Sequence, residues 1–100
     1  FAFQLNRKGG NMTKIKRKLT TNLCGKRIKL ARVEKNMNQL ELATALSEDC
    51  SLRVDQNSVS QMEKGDRFIK DFELIALAEV LDKHPMWLLF GDKVPEKFKL

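Results

Sequence analysis

From about Asn22 to Lys35 the apolar residues Leu23, Ile28, Ala31 and Val33 recur with polar residues between them, a spacing that predicts a helix of roughly three to four turns. Asn36-Met37-Asn38 breaks the pattern, and Asn38 is placed to cap a second helix carrying Leu40, Leu42, Ala43 and Leu46. Glu41, three residues on, completes a capping box in its asparagine form. This helix should end between Leu46 and Cys50, leaving Ser51 to Val54 as a connector whose Leu52 or Val54 tucks against the core. A third helix follows, with Asp55 as its cap, Val59 and Met62 turned inward and Gly65 as its stop. Residues 66–70 are too short and mixed for a helix and read as an extended loop. Asp71 then reads as the cap of a fourth helix, whose Phe72, Leu74, Ile75, Leu77, Ala78 and Leu81 make it the most apolar element and a central packing surface. Pro85 suits the first position of a fifth, short helix through Met86-Trp87-Leu88-Leu89-Phe90, stopped by Gly91. The pattern is all-α: a folded unit over 22–91, a flexible segment over 1–21, and a charged, loose tail over 92–100.

The third helix differs from the others in what it shows to solvent. Gln56, Asn57, Ser60, Gln61 and Lys64 share its outer face, a short, amide-rich surface that can offer paired donors and acceptors to the flat edges of base pairs. An ordinary solvated helix face has the same look in isolation, so the rest of the chain has to separate the two.

A chain of 100 residues holds one small core. Its net charge is +6 with a pI near 9.6, which favours polyanionic partners without specifying one. Met12 reads as a natural start, with residues 1–11 as a preceding addition; leaving out Arg7 and Lys8 lowers the charge to about +4, still basic. The run Lys14-Ile15-Lys16-Arg17-Lys18 reads either as an arm against phosphates or, the commoner case, as a solvated tail. Two cysteines, Cys24 and Cys50, and no apolar leader fit free thiols in a reducing cytoplasm. No stretch approaches the roughly 20 apolar residues of a membrane span. His84 lacks partners at metal-ligand spacing, and no phosphate loop, nucleophile elbow or carboxylate pair is present, so no cofactor, no metal and no enzymatic activity are expected.

Four segments taken together carry a family resemblance: Gly25-Lys26-Arg27-Ile28 to Arg32, Gln39-Leu40-Glu41-Leu42-Ala43, Ser58-Val59-Ser60-Gln61-Met62-Glu63-Lys64-Gly65, and Glu73-Leu74 to Trp87-Leu88-Leu89. In order and spacing, over roughly residues 22–91, they resemble the lambda-repressor-like, Cro/CI-type (XRE) helix-turn-helix regulators. The resemblance implies a five-helix domain in which helices two and three form the helix-turn-helix and a homodimer sets the third helices into successive major grooves of double-stranded DNA. It implies base contacts from Gln56, Asn57 and Gln61, and phosphate or supporting contacts from Gln39, Ser58, Ser60, Lys64 and Arg67. It also implies a structural ion pair between Arg32 and Glu63, and pairing of subunits through the region of Trp87 and Phe90, residues that composition alone divides between core and partner surface.

One departure stands out. The family pattern leaves about ten residues between the alanine of helix two and the apolar residue of helix three, whereas Ala43 and Val59 are sixteen positions apart. The short glycine turn is absent and Ser47-Glu48-Asp49-Cys50-Ser51-Leu52-Arg53-Val54 stands in its place, resembling a subgroup in which helix two runs longer before the turn; Glu48 and Asp49 should lie away from phosphates, because like charges repel. The expectation is a bacterial or phage transcriptional regulator, a repressor, that occupies an operator. The rival is the same fold serving as a protein-interaction or antitoxin-like module with weak DNA binding, since a fold does not carry a function with it.

Overall fold

The structure, a computed structural model, describes residues 20–99; the basic run Lys14–Lys18 and everything else expected of residues 1–19 lie outside the described residues. Five α-helices and a terminal 3₁₀ turn follow in order: α1 Gly25–Glu34, α2 Gln39–Cys50, α3 Gln56–Lys64, α4 Asp71–Leu81, α5 Pro85–Phe90, and the turn Glu96–Phe98. α3 packs against both α1 and α2, and α4 closes the other side, packing on α1, α2 and α5.

The core is made of one or two turns' worth of side chains from each helix. Ile28 and Ala31 of α1, Leu42, Ala43 and Leu46 of α2, Val59 and Met62 of α3, Ala76, Leu77, Ala78 and Leu81 of α4 and Leu88 of α5 are buried, with Val54 from the connector. The apolar stripes read from sequence are narrower in the structure. Leu23, Val33, Leu40, Phe72 and Ile75 are exposed, not inward. Helices of 9 to 12 residues that each touch two or three neighbours can bury only about two faces' worth of positions, and α4 is apolar on more faces than its neighbours cover.

The helix ends explain several other differences. α1 begins at Gly25, three residues later than Asn22, because the Asn22 side chain itself supplies the cap: its Oδ1 accepts from the backbone N–H groups of Cys24 and Gly25, both at 2.8 Å. The capping box at α2 forms as read, Asn38 accepting from Glu41 N at 2.7 Å and Glu41 from Asn38 N at 2.8 Å. α4 is capped at Lys70, and Asp71 occupies its first helical position instead of the cap; the backbone N–H of Lys70 is taken by the Glu73 carboxylate at 3.0 Å. At α5 the cap is His84, whose Nδ1 accepts from Met86 N at 3.0 Å, ahead of Pro85 at the first position. The tail is not loose throughout: Glu96–Phe98 turns back so that the Phe98 ring lies 5.7 Å from that of Phe90.

α2 runs to Cys50 and ends on Ser51 in the left-handed conformation (φ 58°), so the residues inserted between Ala43 and Val59 lengthen the helix by a turn and form the connector Ser51–Asp55. Ser47 Oγ donates to the Val54 carbonyl at 3.1 Å and folds that connector back on the helix while Val54 enters the core.

Candidate nucleic-acid interface

α3 is held at its N-terminus and, more heavily, over its last turn. At its N-terminus, Asp55 accepts from the Ser58 backbone N–H at 2.8 Å and from the Ser58 hydroxyl at 2.9 Å, and these bonds hold the Asp55 carboxyl below its ordinary range. Ser58 is thereby engaged in capping. At its C-terminus, Gly65 adopts φ 78°, a left-handed stop that suits glycine.

The same C-terminus is clasped from the start of the chain's folded part. Asn22 Nδ2 donates to the carbonyls of Met62 at 3.1 Å and Arg67 at 2.9 Å, while its oxygen caps α1; one side chain therefore joins the beginning of α1 to the end of α3. Thr21 adds two bonds to the Gly65 carbonyl, from its N–H at 2.8 Å and its hydroxyl at 2.9 Å. Gly25 makes the approach possible: a Cβ there would stand 2.7 Å from the carbonyl oxygens of both Met62 and Glu63.

At the middle of the assembly, Glu63 gathers three elements. Arg32 of α1 binds it through Nε at 2.6 Å and Nη2 at 3.1 Å, and Gln39 at the start of α2 donates to it at 3.0 Å. Arg32 also donates to the Met37 carbonyl at 2.8 Å, fixing the α1–α2 corner. Both charges are largely withdrawn from water, and hydrogen bonding to Glu63, opposed by burial, raises the Arg32 pKa above its ordinary value. Such a pair adds little net stability over an apolar substitute, yet losing one partner strands the other, so its consequence is geometric: α1, α2 and α3 share one anchor.

What remains outward on α3 is Gln56, Asn57 and Gln61, all exposed, with Lys64 exposed at the end and Ser60 half-buried beside them. Positions 57, 61 and 64 fall in one stripe and 56 and 60 in the next, opposite buried Val59 and Met62. Arg67 is placed differently from Lys64. It is half-buried, its guanidinium binds Glu73 at 3.0 and 3.2 Å, and it donates to its neighbour Phe68's carbonyl at 3.1 Å, so it braces the loop after α3. Burial opposes ionisation of Glu73, but the bonds from Arg67 and from Lys70 N–H outweigh it and hold the carboxyl below its ordinary range. Glu48 and Asp49 are exposed near the C-terminus of α2, about 14 Å along the helix from Gln39, the end that meets Glu63.

Sequence reasoning missed Asn22, Thr21 and Gly25, which orient α3 without lying on it. It also missed Arg27, whose guanidinium caps α5 by donating to the Leu88 carbonyl at 2.9 Å and the Leu89 carbonyl at 2.7 Å. A glycine opening a helix immediately before the basic pair Lys26-Arg27 was the visible signal for the first group; nothing local marks the role of Arg27. Cys24 is buried and its thiol is pushed up by burial, with Arg27 acting weakly the other way, which leaves it protonated and unreactive at neutral pH. Among the described residues no cluster of three or more His, Cys, Asp or Glu side chains could hold a metal ion, and no helix is long and apolar enough to cross a membrane.

Comparison with known proteins agrees with this geometry. A helix-turn-helix family model matches residues 28–88. The chain is 40% identical over 75 residues to the HTH-type transcriptional regulator DicA of Escherichia coli (strain K12), an alignment covering 74% of this chain and 51% of DicA. The chain thus spans about half the length of that relative. The fold is similar, at a TM-score of 0.61 and 29% identity, to the P22 c2 repressor protein solved in complex with synthetic operator 9T in the presence of Tl+, covering 72% of this chain and all of that one. With a helix-turn-helix family model matched over residues 28–88 and a fold similar to that of the P22 c2 repressor, the chain belongs to the lambda-repressor-like helix-turn-helix family.

Proposed function

We propose that this protein is a sequence-specific double-stranded DNA-binding regulator, a non-enzymatic repressor that acts in the cytoplasm by occupying an operator as a homodimer. α3 enters the major groove; Gln56, Asn57 and Gln61 read base edges, as amides bond adenine N6 and N7 together, at about 1 to 3 kcal/mol of discrimination per good pair. Lys64 lies against phosphate, Ser60 serves as a short supporting contact, and Gln39, at the N-terminus of α2, divides its amide between Glu63 and the backbone it faces. Ser58 and Arg67 support the site from behind, through Asp55 and Glu73. The observation that carries the reading is the Glu63 anchor: a helix tied to α1 and α2 by one carboxylate, with its amide face left exposed, is a rigid element presenting a polar reading surface. The operator bound by the P22 c2 repressor, which shares this fold, supports the same role.

The test is selection of bound sequences from a random double-stranded pool at near-physiological salt, followed by two variants. Enrichment of two related half-sites about 34 Å apart is expected. Gln61→Ala should lose preference at one position of each half-site, whereas Lys64→Ala should weaken binding to all sequences alike and lower the salt slope by about 1 per subunit. Retention of DNA with no enriched motif, or both variants binding as the parent does, would sink the assignment.

A further inference from the structure

Residues 20–100 hold 13 Lys and Arg against 13 Asp and Glu, so this part of the chain has no broad positive field to draw it to a polyanion, and attraction there comes from individually placed charges. In the stretch that holds both helices of the helix-turn-helix, residues 36–63, one residue is cationic, Arg53, against Glu41, Glu48, Asp49, Asp55 and Glu63. Three of those carboxylates are engaged, Glu41 in the cap of α2, Asp55 in the cap of α3 and Glu63 with Arg32 and Gln39. Glu48 and Asp49 are exposed in the last turn of α2. Arg53 is the one cation that this stretch sets before the reading helix.

The connector fixes where that charge stands. Leu52 packs against the core and Val54 lies within it, so Arg53 between them is turned out to solvent, as alternate positions of an extended segment are. The backbone on either side is tied down: Leu52 N–H donates to the Leu46 carbonyl at 3.1 Å, Ser47 Oγ to the Val54 carbonyl at 3.1 Å, and Asp55 opens α3 two residues later. The Arg53 guanidinium has no hydrogen-bond or ion-pair partner among the described residues. Its root is held and its donors are unused. The same is true of the exposed Lys64 at the far end of α3, so the amide face lies between two open cations.

We infer that Arg53 binds a backbone phosphate of the DNA at the leading end of α3, a contact supplied by the segment that stands in place of the short glycine turn. The inference rests on the operator reading, in which the first residues of α3 go to base edges; the residue three positions before Gln56 then stands at the mouth of the groove, beside the phosphate ridge. Without Arg53, residues 36–63 would bring to that ridge no positive charge at all, with Glu48 and Asp49 a few residues away. A guanidinium fork also fits guanine O6 and N7, but Arg53 precedes the cap and lies off the face that carries Gln56, Asn57 and Gln61, which favours phosphate over base. The contact adds affinity and fixes register without reading sequence.

The test is the salt dependence of binding by the full chain to two duplexes of equal length, one taken from the enriched pool and one of scrambled sequence, followed by fluorescence anisotropy. Arg53→Ala should weaken binding to both alike, by about tenfold per subunit, the worth of a hydrogen bond to a charged group, and should lower the salt slope by about 1 per subunit. Arg53→Lys, which keeps the charge, should keep the parent's slope. Lys93→Ala, an equal loss of charge on the exposed tail beyond α5, should leave slope and affinity unchanged, and circular dichroism should be the same for all four proteins. Arg53→Ala binding as the parent does, an equal effect of Lys93→Ala, or a loss confined to one base position of the enriched site would each overturn the inference. The two readings fail separately. A parent that prefers neither duplex while Arg53→Ala weakens both would defeat the operator reading and leave the phosphate contact standing; a parent that prefers the enriched duplex while Arg53→Ala changes nothing would do the reverse.

Discussion

Single carboxylates and amides do most of the orienting in this molecule. Glu63 ties three helices, Asn22 ties two helix ends, and Glu73 ties the loop after α3 to the start of α4. Glu73 gives the clearest pH signature. Its folded pKa lies below its unfolded one, so the unfolded chain takes up the proton first as pH falls. The stability it contributes is therefore complete above about pH 4.5 and is lost as pH drops through the folded value. Glu73→Gln should be less stable than the parent at pH 7 by about 1 to 3 kcal/mol, the worth of hydrogen bonds to a charged group, and the gap should narrow below pH 4.5. Thermal melts of both proteins from pH 7 to pH 3 check this, and a gap that stays constant would show that Glu73 is not the group responsible. The residue scale was also the least legible from sequence. Arg32 and Glu63 could be paired because the family resemblance supplied the partner, whereas Arg27 and Asn22 bind backbone carbonyls 40 to 62 positions away, and a carbonyl leaves no mark in the sequence.

At the scale of elements, the helices and their order could be read because apolar residues recur at helical spacing, and three of the helices also carry legible caps or stops, Asn38 with Glu41, Asp55 with Gly65 and Pro85 with Gly91. What could not be read was how wide each buried face is, since that depends on which neighbours arrive; hence Phe72 and Ile75 were placed inward and lie outward. The close crossing of α1 and α3 was equally hidden and has a sharp consequence. Alanine in place of a helical glycine ordinarily stabilises by about 1 kcal/mol. At Gly25 the added Cβ meets two backbone oxygens at 2.7 Å, atoms that can move only if a helix moves, so overpacking of about 1 to 3 kcal/mol outweighs the gain. Gly25→Ala should lower the melting temperature and, by tilting α3, weaken DNA binding more than its loss of stability explains. A more stable Gly25→Ala protein would show that the two helices have room to part.

For the whole molecule, α3 is less an appendage on a helical core than a part of its frame. The clasp made by Asn22 and Thr21 holds its last turn, and the Glu63 anchor holds it against α1 and α2. A surface helix attached only by Val59 and Met62 would open on its own, exchanging its amide hydrogens far faster than the core. Here the carbonyls that close α3 are satisfied by the residue that also starts α1, so opening one exposes the other. Hydrogen exchange should accordingly find the amides of α3 and α1 in a single protection class, and Asn22→Ala should split that class, with α3 exchanging first. Under the proposed function, such a surface would meet its target already in shape, with the entropy of ordering it spent in folding.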